Sequence, residues 1–336
     1  PPDNHTLYLS SAASDVYKRQ GIGRGGVILP ALMSSPRISA RRVVSISFLV
    51  DLLDVVTNLV VMLLTGSAVI FAEMAQGVAD ALGSALLVVG ERRARRPRDR
   101  THPLGYAREA FFWALLSAMA MLIVGGGLSA WRGWRQLVER VPIENSALAI
   151  AVLVLAIGTN GYAVRLSVRK LCEQGDGVLE AFRDARQPLV KGAFIRDVIG
   201  TFTSVVGLAA LGLYEVFGVV LFDAAGALVA AVMMAGGSLV LIGQTRSLIT
   251  GRALPEDDLE RLRDAVLAMP EVVAVNQLHV IYSGAAEVLV DADLDLEERL
   301  ETTDIEAVLD DLEARARRVI PEVGHVRVLL NSPEEP

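Results

Sequence analysis

The sequence predicts a membrane protein of mainly helical class, with six transmembrane helices followed by a small cytoplasmic α+β domain. Three observations predict it. Of 336 residues, 52 % are hydrophobic and 21 % charged, and the mean hydropathy is +0.44, which is oilier than an ordinary soluble domain. Six stretches reach the roughly 20 apolar helical residues that a bilayer core requires. Charge is also divided along the chain. Residues 251–336 hold 21 Asp/Glu against 8 Arg and no Lys, a net of −13, so with −7 overall the first 250 residues carry +6. An oily, mildly basic part followed by an acidic one argues against nucleic-acid binding, and Cys172, the single cysteine, against a disulfide scaffold.

Taken in order, Pro1–Gln20 has neither hydrophobic periodicity nor the pattern of a cleavable signal. Its stretch Tyr8–Gln20, YLSSAASDVYKRQ, reads as translated sequencing adapter. Residues 21–42 are expected to form a cytoplasmic N-terminal segment, 43–249 the membrane domain and 250–336 the soluble domain. The six expected spans are Val43–Thr65, Ser67–Val89, Phe111–Ala130, Ala147–Val168, Val190–Leu213 and Val216–Ile242. The second and fifth are the least apolar because each carries charge. Thr65-Gly66-Ser67 and Tyr214-Glu215 are joints too short for anything but hairpins, so spans one and two, and five and six, are antiparallel neighbours.

Arginine sets the orientation. Arg37, Arg41 and Arg42 precede the first span, seven arginines from Arg92 to Arg108 separate the second and third, and Arg165, Arg169, Lys170, Arg183, Arg186 and Lys191 surround the next joint on that side. The opposite face has Arg132, Arg135 and Arg140. Both termini are therefore expected in the cytoplasm. The use of Arg over Lys (only Lys18, Lys170 and Lys191) suggests a bacterial genome of high GC content, which points to a bacterial inner membrane and leaves an organelle as the alternative.

The tail reads as helix, strand, strand, helix, strand. Pro255–Met269 places Leu259, Leu262, Val266 and Met269 at helical spacing behind an acidic first turn. Val272–Tyr282 and Glu287–Leu296 flank a hairpin signal at Ser283-Gly284, Thr303–Val319 repeats the helical period, and Val326–Leu330 is a short last strand. That order suits two helices on one face of a sheet.

Ionisable residues inside spans are the natural functional candidates, because burying a charge in lipid costs at least about 2–3 kcal/mol. Asp51, Asp54 and Asn58 share one face of the first span, Glu73, Gln76 and Asp80 one face of the second, and Asp197, Thr201 and Ser204 one face of the fifth. Oxygen ligands from several helices at membrane depth suit a divalent cation; the competing reading is a structural network pairing these acids with Arg196. Asp223, near the start of the sixth span, reads as a helix-end residue.

The run Thr65–Trp113, with HPLGYAREAFFW at His102–Trp113, resembles the helix 2–3 region of the cation diffusion facilitator family, in the branch that reads HPFGYGRERYFW. The resemblance extends over about residues 43–331, including RSLITG at Arg246–Gly251. It implies dimers with six transmembrane helices and a cytoplasmic ferredoxin-like domain, exporting zinc and related divalent metals in exchange for protons. It also exposes departures. The family's site pairs a His or Asp with an Asp four residues later on helix two; here the positions hold Gln76 and Asp80. On helix five, Asp197 is kept, but its partner becomes Ala193 or, aligned on Pro188, Arg196. No span contains His.

These departures favour Asp80 and Asp197 as core ligands, with Gln76 and one of Asp51, Asp54 or Asn58 completing an all-oxygen shell, which suits Mn²⁺, Mg²⁺ or Fe²⁺ better than zinc. Proton exchange would then run through carboxylates. Alternatively, Arg196 takes the cation's place, and the chain is a transport-incompetent relative serving as a membrane scaffold or partner subunit. Asp99 and His102 match positions that bind a second metal in some relatives, but Tyr106 replaces a further His, and the surrounding arginines favour a structural role. His279 and His325 read as strand residues; Asp291, Asp293 and Asp295 alternate on one strand face and read as a solvated acidic face, with a loose cation site as the alternative. No nucleotide-binding loop and no nucleophile–base arrangement is present, so neither ATP nor enzyme chemistry is expected, and no cofactor beyond the transported cation.

Overall fold

A computed structural model describes residues 40–172, 188–285, 287–297 and 299–330, with the side chains of 40–51, 170–172 and 188–193 outside the description. The expected adapter segment and N-terminal segment lie outside the described residues. The chain divides into residues 1–45 and 46–336, and every contact below lies within the second unit.

Six long helices occur where hydropathy places them. They are α1 (Ala40–Thr65), α2 (Ala68–Ala94), α3 (Glu109–Glu139), α4 (Ser146–Cys172), α5 (Pro188–Phe217) and α6 (Leu221–Ile249). Five are long and apolar enough to cross a membrane, and the described apolar part of α1 is the shorter Leu52–Thr65. As expected, α2 and α5 are the least apolar of the five. The outward faces of α1, α4 and α6 carry exposed Leu59, Leu63, Val154, Leu155, Val232 and Leu239. Water would penalise that surface, whereas hydrocarbon does not.

The α1–α2 joint is the expected hairpin, turned by Gly66 at φ +69°. The α5–α6 joint differs. Helix α5 continues through Tyr214-Glu215 to Phe217, and the turn falls at Gly218, whose φ of +67° is the left-handed value that glycine adopts without a Cβ penalty. Helix α3 runs nine residues past Ala130 and widens to a π-helical stretch at Met121–Gly127. An apolar-window reading stops at Arg132; the helix continues because Arg135 pairs with Glu139 one turn on.

The tail contains α7 (Glu256–Leu267), β1 (Val272–Gly284), β2 (Glu287–Leu296), α8 (Thr302–Val319) and β3 (Val323–Leu330). The sheet order is β1-β2-β3, antiparallel between β1 and β2 and parallel between β2 and β3, with α8 as the crossover. Strand alternation buries Val288, Val290, Ala292 and Leu294 in one core with Leu262 and Val266 of α7 and Val308, Leu312 and Ala316 of α8. Both helices therefore cover the same sheet face, as expected. Two membrane-helix residues, Phe111 of α3 and Leu248 of α6, belong to this core as well.

Candidate metal site in the helix bundle

Glu73, Gln76 and Asp80 follow one another at i, i+3 and i+7 on α2, so one helix face presents all three. They line a cavity of about 480 Å³ together with Asp54 and Thr57 of α1 and Thr159 and Asn160 of α4. Three carboxylates and two carboxamides from three helices thus converge.

Helix α5 holds this set from behind. Thr203 Oγ1 donates to Gln76 Oε1 at 2.7 Å, which fixes the amide's orientation. Ser204 is a shared partner: it hydrogen-bonds Glu73 and accepts from Asn160 Nδ2 at 3.2 Å. Glu73 is buried, with Asp54 and Asp80 as like-charged neighbours. The Asp80 carboxylate meets Arg196 of α5, with Nε 3.5 Å from Oδ1, and Arg196 Nη2 donates to Ser117 Oγ of α3 at 3.1 Å.

The sequence-derived candidates divide accordingly. Asp54, Gln76 and Asp80 come together in the cavity. Asp197 is not among its lining residues and accepts from Ser167 Oγ of α4. Asn58 is fully buried; its Nδ2 donates to the Asp54 carbonyl at 3.1 Å, and its Oδ1 makes no hydrogen bond among the described residues. The side chain of Asp51 lies outside the described residues. Two cavity groups went unassigned in the candidate ligand set. Glu73 lay on the α2 stripe, and Asn160 could have been found as a carboxamide inside an apolar span.

The remaining intramembrane acid is of another kind. Asp223 of α6 is fully buried and accepts from Ser67 Oγ at 2.6 Å, Ala68 N at 2.8 Å and Val69 N at 3.1 Å. It caps the first turn of α2, whose free amide groups and dipole favour a negative charge there. The helix-end reading holds, although the helix end is that of α2. The Asp99 loop is likewise self-contained. Its carboxylate accepts from Thr101 N (2.9 Å), Thr101 Oγ1 (2.6 Å), His102 N (2.7 Å) and Tyr106 OH (2.6 Å). The hydrogen bonds of Thr101, Tyr106 and His102 hold that carboxyl well below the usual carboxylate range, and donation to Asp99 pushes the Tyr106 phenol up.

Among the described residues no three His, Cys, Asp or Glu side chains are grouped as a ready metal cage. A cation in this cavity would need carboxamide oxygens beside carboxylates, a donor set typical of hard divalent ions.

Six apolar helices around a polar cavity, continued by an αββαβ domain, define a multi-pass membrane protein of the cation-efflux type. The cation efflux transmembrane domain model matches residues 44–249, and the model for the cation efflux protein cytoplasmic domain matches residues 254–330. The chain belongs to the cation diffusion facilitator family. It is similar to the mitochondrial proton-coupled zinc antiporter SLC30A9 of Xenopus laevis, at 25 % identity over 81 % of this chain and 50 % of that protein. It is also similar to metal tolerance protein C4 of Arabidopsis thaliana, at 25 % identity over 59 % of this chain and 44 % of that protein. The cation-efflux pump FieF of Shewanella oneidensis shares 31 % identity over 37 % of this chain and 42 % of that protein. The chain spans about half the length of the antiporters it matches.

Proposed function

We propose that the protein exports a divalent metal cation through the α1–α2–α4 cavity, with Asp80 as its central ligand. The observation that carries this reading is the convergence of Asp54, Glu73, Gln76, Asp80 and Asn160 on one intramembrane space. Asp197 completes the set if the bundle rearranges around the ion, as alternating access about a midplane site requires. With no His in a span, protons move in exchange on these carboxylates. The oxygen donors suit Mn²⁺, Fe²⁺ or Co²⁺ as well as Zn²⁺, the ion in the antiporters' names. The protein works as a homodimer through its tail, in a bacterial inner membrane, with both termini in the cytoplasm on the side of the arginine-rich loops.

The test is metal uptake into inside-out proteoliposomes with and without a proton gradient, offering Zn²⁺, Mn²⁺, Fe²⁺, Co²⁺ and Mg²⁺ in turn. Uptake of at least one cation that Asp80→Ala abolishes is the expected result. Uptake of none by folded, dimeric protein overturns the proposal and leaves a membrane scaffold.

A further inference from the structure

We propose that Arg196 is a resident counter-ion of the site: its guanidinium holds Asp80 when no metal is bound, and an entering divalent cation must displace it. This rests on Asp80 being a ligand, as proposed above, and adds what sets the site's affinity and its preference for double charge.

The guanidinium crosses from α5 to reach both α2 and α3. Its Nε lies 3.5 Å from Asp80 Oδ1, and its Nη2 donates to Ser117 Oγ at 3.1 Å. Gly83, one turn beyond Asp80 on α2, leaves the room: a Cβ there would come within 3.7 Å of both terminal guanidinium nitrogens and collide with the Ser117 hydroxyl. Arg196 Nε is buried and makes no hydrogen bond among the described residues, so its hold on Asp80 is a charge contact and not a hydrogen-bonded fork. Such a contact is weaker than the paired geometry of which arginine is capable.

Competition follows from charge and distance. A divalent ion brings twice the charge and binds a carboxylate oxygen at about 2.0–2.6 Å, well inside the 3.5 Å of the guanidinium. Coulomb attraction to Asp80 therefore favours the metal. A monovalent cation brings no more charge than the guanidinium already in place, so it lacks the twofold Coulomb gain of a divalent ion. Once displaced from Asp80, the guanidinium keeps its second seat on Ser117. Permanent charge makes this possible, since arginine cannot shed its proton to vacate the site.

The test titrates Zn²⁺ alone into the full chain, purified as it assembles in detergent, by equilibrium dialysis. Arg196→Gln and Arg196→Met are expected to bind Zn²⁺ about tenfold more tightly or better, and Arg196→Lys to stay within about threefold of the natural chain. Potassium is expected to compete with Zn²⁺ in the two neutral variants and not in the natural chain. Equal or weaker Zn²⁺ binding by a folded neutral variant overturns the proposal. If neither neutral variant folds, the natural chain decides the matter through its arginine ¹⁵Nε resonances, with Arg196 assigned by its loss in Arg196→Lys. The Arg196 signal is expected to shift on Zn²⁺ saturation, and an unmoved signal overturns displacement. Asp80→Asn separates the two readings. Loss of binding there with an unaltered Arg196→Gln affinity sinks only the counter-ion, whereas Asp80→Asn at natural affinity sinks both.

Discussion

Asp223 and Glu73 are both acids buried among apolar helices, and their surroundings are opposites. Asp223 spends its charge on one hydroxyl and two backbone amides of the α2 N-terminus, within 3.1 Å of each. Glu73 has Ser204 as a hydrogen-bond partner, faces the charges of Asp54 and Asp80, and borders a cavity. The first environment is complete without any added ion. The second gathers three carboxylates beside a cavity of about 480 Å³, which is how a cation site differs from a structural clasp.

Mutations that remove each charge should move stability and binding in opposite directions. Asp223→Ala has the largest expected effect on folding. It strands the α2 amides in a buried place, costs about 3 kcal/mol and lowers the melting temperature in detergent. Metal affinity of the protein that remains folded stays unchanged, and an unaltered melting temperature would remove the contrast. Glu73→Gln keeps the shape and the Ser204 contact while relieving repulsion. Its melting temperature should hold or rise while metal binding weakens roughly tenfold, or about 1.4 kcal/mol; a less stable variant with full affinity would make Glu73 a clasp like Asp223. Asn160→Ala, which removes a neutral donor, should weaken binding about three- to tenfold, measured by the same dialysis.

The smallest effect sharpens the comparison outside the membrane. Asp99 is held below the usual carboxylate range in the folded loop. Its contribution is therefore present above the unfolded value of about 3.9 and is lost only as pH falls through the depressed one. Amide exchange protection of Thr101 and His102, corrected for intrinsic rate, should stay constant from pH 7 to about pH 4. A loss within that window would show that the turn does not depend on the Asp99 carboxylate.

Features governed by local chemistry were legible in the sequence. Apolar length marked six helices, Gly66 marked the first hairpin, and β-rich runs around Ser283-Gly284 marked β1 and β2. The second hairpin was misplaced because Glu215 looked like a span end, whereas Gly218, three residues on, supplies the left-handed turn. Features that depend on how helices face one another were not legible. Asp51, Asp54 and Asn58 are equivalent by spacing, but Gly77 of α2 lies against Val55 and Asp54, which brings Asp54 to the cavity. A pairing of these acids with Arg196 was one of the two readings the sequence offered; that Asp80 is an acid it meets depends on the relative height of α2 and α5, which no local pattern encodes. Asn160 carries no charge, so a search for ionisable groups passes over it.

Phe111 at the start of α3 and Leu248 at the end of α6 are built into the core of the tail, the first with no exposed surface. The soluble domain is therefore keyed to the bundle at two points and does not hang from it by a flexible tether. Arg252 and Leu254, on the segment that follows α6, are hydrogen-bonded to Tyr282 and Val280 of β1, so a rocking of α6 beyond what Thr250-Gly251 absorbs turns the whole sheet. If two copies meet through their tails, the sheet acts as a protractor, fixing the angle at which the two bundles splay and passing a change in one to the other as rotation.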